Sequence, residues 1–177
     1  MNLNPTRPTM TAPRRKVVTL APGSRGTRQT LQLMAELARR GSLHPLVRAK
    51  AVQLTSGQRQ KDYLAEAKAV HQWVKDEVRY VRDIAGVETL HTAPRILTDR
   101  AGDCDDKSIC IGSLLTAIGH RVRFVAVGFG PRGFSHVYPE AFIGGLWWPL
   151  EATEPWGFGK GPTRTPTRRM IEEVKKK

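Results

Sequence analysis

The stretch 104-CDDKSICIGSLLTAIG-119 constrains the fold of this chain more than any other. Past its first turn, Ile109, Cys110, Ile111, Leu114, Leu115, Ala117 and Ile118 leave little polar surface on a helix. A helix that is apolar most of the way round has to be surrounded by other elements. Gly119 is a stop signal at its end. Immediately afterwards the hydrophobic period becomes two: in 121-RVRFVAVGF-129, Val122, Phe124 and Ala126 share one face. A Gly/Pro loop leads to a second strand over 134–143, Gly144-Gly145 supplies a hairpin turn, and 146–152 is a third strand. Pro139 and Pro149 cannot donate to a ladder, so edges or bulges are expected at both.

Helices are expected upstream. Leu31, Met34, Leu37 and Ala38 recur at helical spacing over Thr27–Arg39, and a second helix starts near Pro45 and ends near Ser56-Gly57. The third is the most regular. Leu64, Ala67, Val70, Val74, Val78 and Val81 form one stripe from about Lys61 to Val81, with Trp73 and Tyr80 on its flanks. Pro94 in a first turn, with Thr92 as a cap, predicts a short helix to about Asp99. Helices first and an antiparallel meander second make an α+β domain, with the cysteine-bearing helix packed on a small antiparallel sheet. The domain is expected over 27–156, with its core at 62–155. Residues 1–26 read as a basic extended arm, and 157–177 as a basic tail, a Gly/Pro linker and a short basic helix.

Charge follows the same division. The chain has 177 residues and a formal charge of +13. Residues 1–50 carry +9 and 157–177 carry +5, so the body between them is nearly neutral. Such ends suit nucleic acid, another acidic partner surface, or docking into a larger assembly; solvated tails are the plainer reading. Few aromatics accompany the basic ends, and no nucleic-acid motif is present. Two cysteines exclude a disulfide framework, and no apolar run approaches the roughly 18 residues of a membrane span. The opening MNLNPTRPTMTAPRRK lacks the apolar core of a secretory signal, so a cytoplasmic location without membrane association is expected. No Cys-x-x-Cys or His-Glu-x-x-His pattern exists, and no metal or cofactor is expected.

The chemistry concentrates at 101-AGDCDDKS-108. Carboxylates beside a thiol oppose its ionisation. At a helix start they have another use: Asp103 is placed to cap the buried helix, and Asp105 and Asp106 complement its dipole. Successive residues turn by about 100°, so those acids can point away from Cys104. Cys104 then holds the first helical position, where amide groups favour a thiolate and a developing oxyanion. Cys110 reads as a small buried hydrophobe. A thiol nucleophile needs a base. Of five histidines His136 is best placed, opening a strand after a Gly loop. His71 lies mid-helix, His44 and His91 lie in connections, and His120 follows the far end of the buried helix. The group that orients the imidazole is Glu151, one hairpin away, with Glu140 and Glu154 as rivals.

The segments 102-GDCDD-106, 135-SHVYPE-140 and 147-WWPLEAT-153, in that order, resemble the transglutaminase-like superfamily of papain-type cysteine enzymes. The lead-ins 79-RYVRD-83 and 94-PRILTDRAGDC-104 look similar to it as well. The resemblance spans about 62–155. It implies a papain-like core with Cys104 as nucleophile, His136 as general base and Glu151 as orienting acid. The usual third residue there is Asp, so Glu151 departs by one methylene. The resemblance also implies an aromatic donor at the oxyanion hole, for which Tyr80 is the candidate, with Asp103 in support. The implied chemistry is acyl transfer on a protein or peptide substrate. The shortness of the chain favours hydrolysis over crosslinking. The rival is a catalytically silent structural or assembly protein of the same fold. Stand-alone domains of this type occur in bacteriophages, which makes a virion the alternative location.

Overall fold

The computed structural model describes residues 16–83, 89–131 and 133–175. Most of the expected basic arm, residues 1–15, and the last two lysines lie outside the described residues. Three helices come first: α1 (Ser24–Gly41), α2 (Pro45–Thr55) and α3 (Tyr63–Glu77). Then follow β1 (Arg79–Tyr80), α4 (Ala93–Asp99), β2 (Ala101–Gly102) and α5 (Cys104–Ala117). Four strands complete the chain: β3 (Arg121–Gly128), β4 (His136–Ile143), β5 (Leu146–Pro149) and β6 (Arg168–Glu173).

The apolar helix takes the central place its composition requires. α5 packs against α1, α2, α3 and α4 and against β3 and β4. Ile109, Ile111, Leu114 and Leu115 are wholly buried among Met34 and Ala38 of α1, Val47 of α2, Val70 and Val74 of α3, Ile96 of α4 and Phe124 of β3. Gly112 lets the sheet approach: a Cβ there would stand 2.8 Å from the Phe124 ring and 3.3 Å from the Ala38 Cβ. Burying side chains of this size stabilises by about 1.5–3 kcal/mol each, so the helix that carries Cys104 is also the helix that holds the domain together.

The sheet is antiparallel throughout, in the order β5-β4-β3-β6. The turn at Gly144-Gly145 has positive φ at both residues, 60° and 83°, which glycine adopts without strain. Pro139 sits inside this sheet without a bulge. It pairs with Phe124 on one side, and its carbonyl accepts from the Leu150 amide at 2.9 Å on the other, just past the end of β5. The missing N–H therefore falls where the neighbouring strand is already leaving the ladder.

Two further expectations, besides the bulge at Pro139, are corrected. The stripe that runs numerically to Val81 ends at Glu77 as a helix, and Val78 is extended (φ −102°, ψ 104°). Arg79 and Tyr80 instead pair in parallel with Ala101 and Gly102, and Val81 is 45% exposed. The Arg79 and Val81 amides bond the Arg100 and Gly102 carbonyls at 2.9 and 3.0 Å, so a strand pairing outcompetes helical continuation for these β-branched and aromatic residues. The second correction concerns the tail. Its expected basic helix is strand β6, paired with β3 from Arg168↔Gly128 to Glu173↔Arg123. Part of its charge is used internally, since Arg169 bonds the buried Glu140 at 2.8 Å. Because β5 and β6 are opposite edges, the connection between them crosses the whole sheet. It is tied by Gly159 N to Pro149 O (3.0 Å) and Thr167 N to Gly128 O (2.8 Å).

Candidate active site

Cys104 is the first residue of α5, and Asp103 precedes it as N-cap. One carboxylate oxygen of Asp103 accepts from the amides of Asp105 (3.0 Å) and Asp106 (3.2 Å), two of the donors a helix start leaves open. Gly102 is needed just before: a Cβ there would lie 2.5 Å from the Asp106 Cβ. Asp106 points away from the thiol, accepting from the His91 amide at 2.8 Å and from His91 Nδ1 at 2.7 Å. Asp105 does not point away. Its Oδ1 accepts from the Cys104 sulfur at 3.6 Å, against the expectation that both first-turn acids would turn elsewhere.

The consequence is a thiol held protonated. Burial pushes the Cys104 pKa well above the usual thiol range; the charges of Asp105 and Asp103 add to it, and the Val137 backbone N–H pulls weakly the other way. Cys110, fully buried among the core residues, is pushed up to about 12 by burial.

His136 opens β4 and is hydrogen-bonded through Nε2 to Oε2 of Glu151. The ring is 12% exposed and the carboxylate 1%. The other oxygen of Glu151 accepts from the amides of Thr153 (2.6 Å) and Glu154 (3.1 Å). Burial alone would raise the Glu151 pKa; the His136 hydrogen bond and charge, with these two amides, hold it below the ordinary value. Since Nε2 is committed to Glu151, Nδ1 is the ring nitrogen left for a substrate or thiol.

Cys104 and His136 line the same two adjoining clefts. One, of about 360 Å³, is walled by Leu20, Ala21, Thr27 and Met34. The other, of about 400 Å³, is walled by Tyr80, Phe129, Glu154, Trp156 and Arg164. The crossing connection therefore forms part of the mouth. Tyr80 is tied beside the cysteine by its pairing with Gly102, and its hydroxyl pKa is raised by burial first and by Cys104 second.

The other candidates are engaged elsewhere. Glu140 lies between Arg123 (2.6 Å) and Arg169 (2.8 Å), and Arg123 also stacks on Trp147. His44 caps α2 and His120 bonds Glu66 at 2.8 Å. Two neighbours of the site escaped the sequence reading. His71 Nε2 donates to the Glu151 carbonyl at 2.6 Å, and Lys107 Nζ donates to the Ala152 carbonyl at 3.0 Å. Lys107 carried a signal, as a charge on a helix without a polar face; His71 carried none beyond its place in the middle of the third helix.

The sequence profile of the Transglutaminase-like superfamily matches residues 48–152, more than half of the chain, with Cys104, His136 and Glu151 inside the match. The chain belongs to the transglutaminase-like superfamily. Two solved structures share the fold of this superfamily member. A candidate protease from Parabacteroides distasonis superposes with a TM-score of 0.57 at 14% identity, over 70% of this chain and 26% of that one. A candidate cysteine protease from Cytophaga hutchinsonii superposes at 0.54 with 19% identity, over 81% of this chain and 55% of that one. The chain thus spans about a quarter and about half of these proteins. No curated protein matches it. Helix α1, which walls one cleft, and strand β6 lie outside the matched span. Among the described residues no helix is long and apolar enough to cross a membrane, and no group of three or more His, Cys, Asp or Glu could hold a metal ion.

Proposed function

We propose that this chain is a cysteine-dependent acyl-transfer enzyme acting on peptide or isopeptide amides, with hydrolysis as its reaction. The observation that carries this reading is the His136–Glu151 pair at the edge of clefts that also hold Cys104. With the thiol protonated at rest, His136 acts as a general base during attack and does not hold a preformed ion pair. Cys104 sulfur adds to the amide carbonyl as its proton passes to His136. The tetrahedral intermediate collapses to a thioester, and the imidazolium gives that proton to the departing amine. Water, deprotonated by the same imidazole, then adds to the thioester; the acid departs as the C–S bond breaks, and the imidazolium returns its proton to the sulfur. Glu151 fixes the ring and stabilises its charged form. Tyr80 is the side chain assigned to the oxyanion, with the backbone amide of Cys104, because the Asp105 and Asp106 amides are taken by the Asp103 cap.

The raised thiol pKa favours a second reading, a silent scaffold of the same fold. Iodoacetamide separates the two. Cys104 is expected to be alkylated faster than Cys110, with His136→Ala slowing it, and Cys104→Ala is expected to abolish cleavage of fluorogenic peptide and isopeptide amides. A native chain in which neither cysteine reacts leaves the scaffold reading standing.

A further inference from the structure

Glu151 reaches His136 through three rotatable side-chain bonds, so an isolated glutamate would hold its carboxylate poorly. The chain around it removes that freedom. The amides two and three residues on, of Thr153 and Glu154, bind one carboxylate oxygen, which leaves the other for His136. The two carbonyls are held from outside: that of Glu151 by His71 of α3, and that of Ala152 by Lys107 of α5. Four backbone groups within three consecutive peptide units are thereby fixed just after the Glu151 side chain.

Both outside donors are costly choices for the places they occupy. His71 is 1% exposed, and its Nδ1 has no hydrogen-bond partner among the described residues. Lys107 is 4% exposed, on the helix whose Ile109, Ile111, Leu114 and Leu115 form the centre of the core. Burying an ammonium and a half-satisfied imidazole is unfavourable unless their position is needed. Apolar residues of similar volume would pack the same sites more cheaply.

We propose that His71 and Lys107 are positioning residues for the Glu151–His136 pair, holding consecutive carbonyls so that the Glu151 carboxylate meets the imidazole in one orientation. Two helices that also build the core thus set the aim of the base. This inference rests on the cysteine-enzyme reading for its consequence in rate, and on geometry alone for its consequence at the His136 ring.

The test uses the full chain and two readouts: the second-order rate of Cys104 alkylation by iodoacetamide, and the downfield proton resonance of the His136 Nε2–H bonded to Glu151. Lys107→Met and His71→Leu remove the donors at similar volume. Each is expected to slow alkylation by about tenfold, as misplacement of a catalytic group by less than 1 Å does, and to shift or broaden the resonance. His71→Gln, whose amide nitrogen can stand where Nε2 stands, is expected to restore both. In a Glu151→Gln background, Lys107→Met and His71→Leu are expected to cost less than about twofold, since their target is already disabled. If either apolar variant fails to melt cooperatively, Lys107→Gln and His71→Asn replace it, each remaining polar but one bond too short to reach its carbonyl. Folded variants with an unshifted resonance and an unchanged alkylation rate overturn the proposal, as does the same tenfold loss in the Glu151→Gln background. A native chain in which Cys104 does not react sinks the enzyme reading, while the resonance still decides whether His71 and Lys107 position the pair.

Discussion

Replacing Asp103 by Asn and by Ala separates the two things its carboxylate does. It caps α5 through two amides, and it places a charge beside a buried thiol. Burial, with the charges of Asp106 and Asp83, raises its pKa to about 6 despite the two amide hydrogen bonds. The ordinary value is about 3.9, so the shift is worth at most about 3 kcal/mol; solvent at this half-exposed group screens it to about 1 kcal/mol. The sign follows from proton binding. Below about pH 4 both folded and unfolded chains hold the proton, and the stability is present in full. Between about pH 4 and pH 6 the unfolded chain loses the proton first, so stability falls as pH rises, and above about pH 6 the loss is complete. Asn keeps an acceptor for the cap and has no charge; Ala loses the cap, at about 1 kcal/mol. In urea denaturation under reducing conditions, Asp103→Asn is expected to match the native chain near pH 4 and to exceed it by about 1 kcal/mol near pH 8. Asp103→Ala is expected to fall about 1 kcal/mol short near pH 4 and to draw level near pH 8, where loss of the charge offsets loss of the cap. Asp103→Asn is also expected to alkylate faster at Cys104, with one carboxylate fewer opposing the thiolate. Identical behaviour of the two variants, or an Asn-to-native difference that does not change with pH, refutes the assignment of cap and buried charge to this one side chain.

Glu151→Asp is expected to behave like Glu151→Gln, not like the native chain. The backbone at 151–152 is held by His71 and Lys107, so a carboxylate about 1.5 Å shorter cannot follow the ring, and peptide-amide kcat is expected to drop about 100-fold. Tyr80→Phe, at the rim of the cleft, is expected to lower kcat by about 100-fold with little change in KM if its hydroxyl meets the oxyanion, as steady-state kinetics would show. Gly112→Ala drives a methyl against the Phe124 ring and is expected to cost about 1–3 kcal/mol in a urea melt.

Much of the fold was legible because its strongest signal is a single element. A helix with no polar side has one place to go, and the period change at Gly119 announces the sheet beside it. The Asp103-Cys104 helix start was readable by similar means, since a cap is local geometry, and Glu151 was reached through the hairpin after β4 although β5 ends at Pro149, two residues short of it. What escaped is what non-local pairing decides. The stripe through Val81 obeys helical spacing, yet Arg79 and Tyr80 pair with residues that lie across α4 in sequence. Strand β6, rich in charge and far from its partner β3, shows no alternation strong enough to read as buried. The hold on Glu151 comes from α3 and α5, more than forty positions away in the nearer case, and no spacing rule connects such residues.

The placement of Cys104 at the tip of α5 bears on how the chain can lose function. In many enzymes the reacting groups ride on loops that open and close while the rest of the molecule stays intact. Here Cys104 shares its hydrogen-bonded ladder with Ile109, Ile111, Leu114 and Leu115, so an opening that runs past the first turn of α5 draws the central packing after the sulfur. Heat or denaturant should therefore extinguish thiol reactivity of the native kind and amide protection of the α5 backbone in one step, and neither should fade ahead of the other.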